Sequence, residues 1–140
     1  MKEVHIYAES DTENFRCVDR GVGYVLELVT AKGTYTRESF EWKTGTYNAV
    51  ILEALGEALA RMKEKCEIHL HTQNKFLLNM IGSPTYVLWE ESGFRNSKGK
   101  EIANADLWKV FAQAAEGHRI TTEEGIHSYY RWMQEQMDRL

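Results

Sequence analysis

Glu9 closes the alternating run Val4-His5-Ile6-Tyr7-Ala8-Glu9 and so places a carboxylate at the end of a strand. Such a group can ligate a divalent cation or contact nucleic acid; the simpler reading is a solvated acid. A second alternating run, from Glu67 to Gln73, puts His69, His71 and Gln73 on one strand face, while His5 shares its face with Glu9. Imidazoles so arranged could hold a metal, although strand histidines are commonly satisfied by hydrogen bonds and metal clusters show tighter ligand spacing. Trp89, Arg95, Lys98, Lys100 and Lys109 concentrate aromatic and cationic groups in one segment, as a surface for a nucleic-acid backbone would. The alternative there is a tryptophan that anchors a helix and lysines that keep a loop soluble. Tyr129, Tyr130 and Trp132 have helical spacing with Ile126 and Met133 and read as core before they read as a stacking platform.

The elements that must position these groups follow from periodicity. Residues 24–30 are rich in β-formers, Ala31-Lys32-Gly33 is a turn, and residues 34–42 alternate again, which predicts a hairpin and a three-stranded meander with the first strand. Residues 11–21 hold no period and read as a surface loop. Thr46 is a candidate helix N-cap, and a capping role is open to Asn48 as well as a binding one. Ile51, Leu55, Ala58 and Met62 then form an apolar stripe along a helix over residues 49–65, which leads into the strand over residues 67–72. A short helix over residues 76–81, a second segment over 85–91, a polar loop over 92–104, a helix opened by Asp106-Leu107-Trp108 and stopped by Gly117, a short strand over 119–122 and a helix over 126–140 complete the order.

Composition narrows the classes. With 140 residues and 43% hydrophobic content, one domain over residues 1–140 is expected, because two cores would be starved. The formal charge of −4 means that nucleic-acid binding must come from a local patch. Cys17 and Cys66 are too few for a disulfide framework or a metal knuckle. No apolar run reaches the ~20 residues that span a bilayer and no secretory signal opens the chain, so no membrane association is expected and the cytoplasm is the expected compartment.

These features together resemble a known family. A strand ending in an acid, the Gly21-Val22-Gly23 entry to a hairpin, the Thr46-x-Asn48 helix start, residues 65–74, and Lys98-Gly99-Lys100 followed by Asn104-Ala105-Asp106-Leu107-Trp108 look like bacterial type I ribonuclease H over nearly the whole chain. The chain is also similar to the diverged ribonuclease H-like proteins of phages and conjugative elements. The resemblance implies an α/β fold, a ribonuclease H-like mixed five-stranded sheet flanked by helices, with the first strand central and beside residues 67–72. It also implies a two-metal hydrolysis that needs three or four carboxylates around the ion pair. The family's first-strand aspartate corresponds to Glu9, its helix glutamate to Ile51, its next strand-end aspartate to Gln73 and its last aspartate to the neighbourhood of Met133. A shifted alignment would offer Glu123, Glu124 or Glu135 for the last position. Glu53 cannot replace Ile51, because two residues along a helix is a rotation of roughly 200°.

Glu9 and Gln73 are thus expected as positional remnants of a site, with Glu9 at most a metal ligand, no cofactor expected, and the carboxylate left facing water. The resemblance places Asn48, Trp89, Arg95, Lys98, Lys100 and Lys109 where the family holds a hybrid's backbone, and His127 near a mobile histidine that assists product release. Three functions compete: a nucleic-acid-binding protein with a degraded site; an active Mg²⁺- or Mn²⁺-dependent ribonuclease H for RNA/DNA hybrids, with a carboxylate set rearranged from Glu9, Asp11 or Glu13 and acids of the last helix; and a non-enzymatic protein-interaction module of a mobile element.

Overall fold

A computed structural model describes residues 1–140. Five strands, β1 (Lys2–Ser10), β2 (Val18–Thr30), β3 (Gly33–Gly45), β4 (Cys66–His71) and β5 (Arg119–Glu123), form one sheet in the order β3-β2-β1-β4-β5. The first three pair antiparallel, and β1–β4 and β4–β5 pair parallel, so the sheet is mixed, as expected, with β1 at its centre. The helices are α1 (Tyr47–Leu59), α2 (Lys75–Ile81), α3 (Pro84–Glu91), α4 (Ala105–Ala115) and α5 (Tyr130–Met137).

The period-two pattern of β1 divides the molecule. Val4, Ile6 and Ala8 enter the main core with Ile68 and Leu70 of β4 and the Ile51, Leu52, Leu55 and Leu59 stripe of α1. Trp108 and Phe111 of α4 cover α1 from outside. On the other sheet face Tyr7 and Val25 form a second core with Met133 and Met137 of α5, against which Phe40, Tyr129 and Trp132 pack, so this layer is small and leaves the outer part of that face to polar side chains. Gly23 of β2 is opposite both Glu9 and Phe40, and a Cβ there would run into the Phe40 ring. No helix is long and apolar enough to cross a membrane.

The structure corrects several boundaries. Thr46 caps α1 by accepting from the Ala49 N–H at 3.2 Å, so Asn48 is not the cap. The helix stops at Leu59 instead of continuing to residue 65: Arg61 and Met62 donate to Ala58 and Leu59 in tight turns, which reverse the chain so that Cys66 can lie beside Lys2. The charged run Lys63-Glu64-Lys65 has no buried position to hold a further turn of helix. The strand β2 begins at Val18, inside the segment read as a loop, because Arg20 is fully buried there. The last helix starts at Tyr130, not residue 126; Gly125, with φ of 101°, belongs to the turn that brings the chain back across the sheet.

Candidate functional site

The parallel pairing of β1 with β4 brings their C-terminal ends together, and the Gln73 backbone N–H donates to Glu9 Oε1 at 3.1 Å. The second carboxylate oxygen meets His127 Nε2 at 2.7 Å. The Glu9 side chain is 1% exposed and that of His127 is 4%, so the expected solvated acid is instead a buried one. Its position on β1 is dictated by alternation with Tyr7, and the turn after β5 carries His127 over it. Burial raises the Glu9 pKa above the ordinary carboxylate value, against the two hydrogen bonds that favour the anion, and nearby Glu13 adds to the rise. The Tyr47 hydroxyl is buried without a hydrogen-bond partner, and burial together with the Glu9 charge pushes its pKa up.

The other positions are apolar or engaged. Ile51 and Met133 are both fully buried, the first in the main core and the second against Tyr7 and Val25. Gln73 uses its side-chain amide to donate to the Gly125 carbonyl at 2.7 Å. Glu53 turns to Lys43 of β3, as its place on the helix requires. Asp11 accepts from the Gly21 N–H at 3.0 Å, and Glu123 stands 3.4 Å from His69. Glu124 lines a cleft with Gln73 and Ile126. Two clusters of three potential ligands exist in the molecule, Glu3 with His5 and His69, and Glu41 with Glu53 and Glu57, and neither includes Glu9.

The loop beside Glu9 is held by a group that the sequence did not single out. Arg20 donates through Nε to Gly45 O and through its terminal nitrogens to the carbonyls of Thr12, Asn14 and Arg16, at 2.7–3.1 Å. An arginine at the end of a polar loop carries no signal that it will be wholly buried. His127 had a signal through the resemblance, but its partner across 118 residues did not.

His5, His69 and His71 do share a sheet face with Tyr7 and Glu9. His5 and His69 are register partners with rings stacked at 4.6 Å, and His5 Nδ1 lies 2.8 Å from His71 Nε2. Burial pushes His71 down to about 4, which keeps it neutral at neutral pH. Its ring stacks on Tyr7 at 4.3 Å and meets His127 edge-on at 6.0 Å.

The basic segment lies apart from this face. Trp89 packs edge-on against Trp108 at 5.5 Å and anchors α3 to the core, so its ring is largely committed. Arg95 donates to Gly99 O and sits 3.8 Å from Glu101. Lys98, Lys100 and Lys109 are exposed and form no ion pair. Asn48 accepts at 2.8 Å from Asn74, which itself caps α2. Of the aromatic cluster, Tyr129 donates to Glu27 at 2.5 Å while touching Tyr7, and Trp132 packs on Phe40, so these rings close the small second core.

Comparison with known proteins gives a consistent result. No family model matches the chain. Ribonuclease H of Actinobacillus succinogenes is 32% identical over 113 residues, which is 81% of this chain and 66% of that protein. Ribonuclease H of Caldicellulosiruptor saccharolyticus is 27% identical over 125 residues, covering 89% of this chain and 83% of the relative. The chain spans 61% of the Mannheimia succiniciproducens ribonuclease H and about half, 49%, of that from Gluconobacter oxydans. Among solved structures, LC9-RNase H1, described as a type 1 RNase H with the type 2 active-site motif, superposes with a TM-score of 0.75 at 19% identity over 99% of this chain and 72% of that one. The PFV RNase H domain gives 0.66 at 14% identity over 99% and 92%.

Proposed function

The chain belongs to the ribonuclease H-like proteins, of the bacterial type I kind, and on that footing we propose that residues 1–140 act as one nucleic-acid-binding domain that does not hydrolyse RNA through a two-metal site. The observation that carries this reading is the environment of Glu9. Both of its oxygens are engaged, by the Gln73 N–H and by His127. By the resemblance, the family's other acids correspond to Ile51, Gln73 and the neighbourhood of Met133, and Ile51 and Met133 are buried in hydrocarbon. Mg²⁺ and Mn²⁺ favour several anionic oxygens, and a pair of them needs three or four carboxylates to offset its charge. One buried carboxyl hydrogen-bonded to an imidazole does not fit such a pair. Glu9 and Gln73 act in this reading as structural remnants that fix the ends of β1 and β4.

Nucleic-acid binding then rests on surface charge. Lys98, Lys100 and Lys109 carry it, because they are exposed and not neutralised by neighbouring acids. Arg95 and Trp89 shape the segment, and Asn48 supports the adjoining helix start through Asn74. Several relatives are named Ribonuclease H, and one fold neighbour at TM-score 0.62 is a foamy viral protease-reverse transcriptase in complex with RNA/DNA hybrid, so a hybrid is the ligand to try first. The test is a hybrid-cleavage assay with Mg²⁺ and Mn²⁺ on the protein and on Glu9→Gln, run beside salt-dependent binding of the same hybrid. Binding without cleavage is expected from both. Cleavage by the parent that vanishes in the variant overturns the reading in favour of a rearranged nuclease.

A further inference from the structure

We infer that the open sheet face carries a binding site for a Zn²⁺-like transition-metal ion, formed by Glu3 and His5 of β1 and by His69 and Glu67 of β4. One ligand atom from each of Glu3, His5 and His69 lies within 4.8 Å of the others. Glu3 Oε2 is 3.1 Å from His5 Nε2, and Glu67 Oε1 is 3.5 Å from His69 Nε2, so two carboxylates flank the two imidazoles. Tetrahedral zinc with bonds of ~2.0–2.1 Å sets its ligands roughly 3.3 Å apart, a closure within reach of side-chain rotation, since Glu3 and Glu67 are 49% and 39% exposed. Mixed imidazole and carboxylate donors suit Zn²⁺ and discriminate against Mg²⁺.

Two further observations point to a cation. His69 Nε2 is buried and has no hydrogen-bond partner, an arrangement that leaves a lone pair aimed at the cluster. The opposite ring nitrogens are occupied in the way that metal-binding histidines require. His69 Nδ1 lies 2.9 Å from Thr121 Oγ1, and His5 Nδ1 lies 2.8 Å from His71 Nε2, whose own Nδ1 faces Glu123 Oε2 at 3.6 Å. With protons on the three Nδ1 atoms, Glu123 orients His71 and His71 orients His5; His69 Nε2 is then unpaired, and a metal would stand between His5 Nε2 and the Glu3 carboxylate it already faces. The second acidic cluster lacks this character, because Lys43 already sits among Glu41, Glu53 and Glu57.

The site is distinct from Glu9. Glu9 lies six residues beyond Glu3, about 20 Å along β1. A metal held by β1 and β4 would clip together the two strands at the middle of the sheet, and because such a site exists only in the folded chain, binding would raise the melting temperature.

The test uses the chelator-treated protein titrated with ZnCl2, with calorimetry and thermal melting as readouts. One equivalent per chain and a rise in Tm are expected, unaffected by millimolar Mg²⁺. His69→Gln should abolish binding, and Glu3→Gln, at a position too exposed to threaten folding, should weaken it at least tenfold. Thr121→Val leaves all four ligands in place and should still weaken binding by about 10- to 100-fold through the freed His69 ring. Absence of saturable binding overturns the inference, as does binding that survives both His69→Gln and Glu3→Gln, or that is lost instead in Cys17→Ser or His127→Gln.

Discussion

Glu9 and His127 are 118 residues apart in sequence and 2.7 Å apart in space, and both side chains are almost fully withdrawn from water. Removing the imidazole leaves a carboxyl oxygen buried without its partner. His127→Ala is expected to lower stability by about 2–4 kcal/mol, measured by urea denaturation at neutral pH. A loss under about 0.5 kcal/mol would mean that the contact contributes nothing that water does not replace.

The same burial gives a pH dependence. Glu9 is held above the usual carboxylate range, so between the unfolded value of ~4.3 and its folded value the native state binds the proton more tightly than the unfolded chain. Ionisation in that window costs stability, and the cost is complete above the folded value. Relative to Glu9→Gln, the parent should therefore lose stability as pH rises through that window. Parallel stability curves for the two proteins would contradict this sign.

Arg20 concentrates four hydrogen bonds to backbone carbonyls on one buried guanidinium. Lysine has the charge without the planar fork, so Arg20→Lys should cost about 2–4 kcal/mol and speed hydrogen exchange over residues 12–17. Equal exchange in the two proteins would show that the loop is held by something else.

Neutralising Lys98 and Lys100 together should weaken hybrid binding about equally across sequences and reduce the slope of log K against log salt by about 1–2. Unchanged affinity would remove this segment from the binding surface.

Restoring carboxylates by Ile51→Glu and Met133→Asp places acids where exposure is zero. Each change alone should cost at least about 3 kcal/mol in thermal or urea unfolding without added metal. A well-folded double mutant with parental stability would indicate room around Ile51 and Met133 that the packing does not reveal.

Strand order, the neighbouring ends at Glu9 and Gln73, and the outward turn of Glu53 were all readable from period and resemblance, because alternation and helical phase are local properties of the sequence. The end of α1 was not readable. Met62 continues the apolar stripe, and only the need to reverse into β4 overrides it. Nor was the burial of Glu9 or Arg20, since each depends on groups brought over it from elsewhere in the chain: His127 for one, the carbonyls of residues 12–16 and Gly45 for the other. The cross-strand histidines were legible as sharing faces, but their ring nitrogens acquire partners only through the register of β1, β4 and β5.

The central place of β1 also sets an order of events on the ribosome. Its antiparallel partner β2 follows within a few residues, whereas β4, β5 and finally His127 are made much later. At about 5–20 residues per second, the 118 residues between Glu9 and His127 take roughly 6–24 s to synthesise. Throughout that interval one edge of β1 lacks β4 or the Glu9 carboxylate lacks its cover, and water must serve in their place. The emerging domain therefore completes its polar interior last, and a chain stalled before residue 127 would display an unfinished sheet to chaperones and proteases.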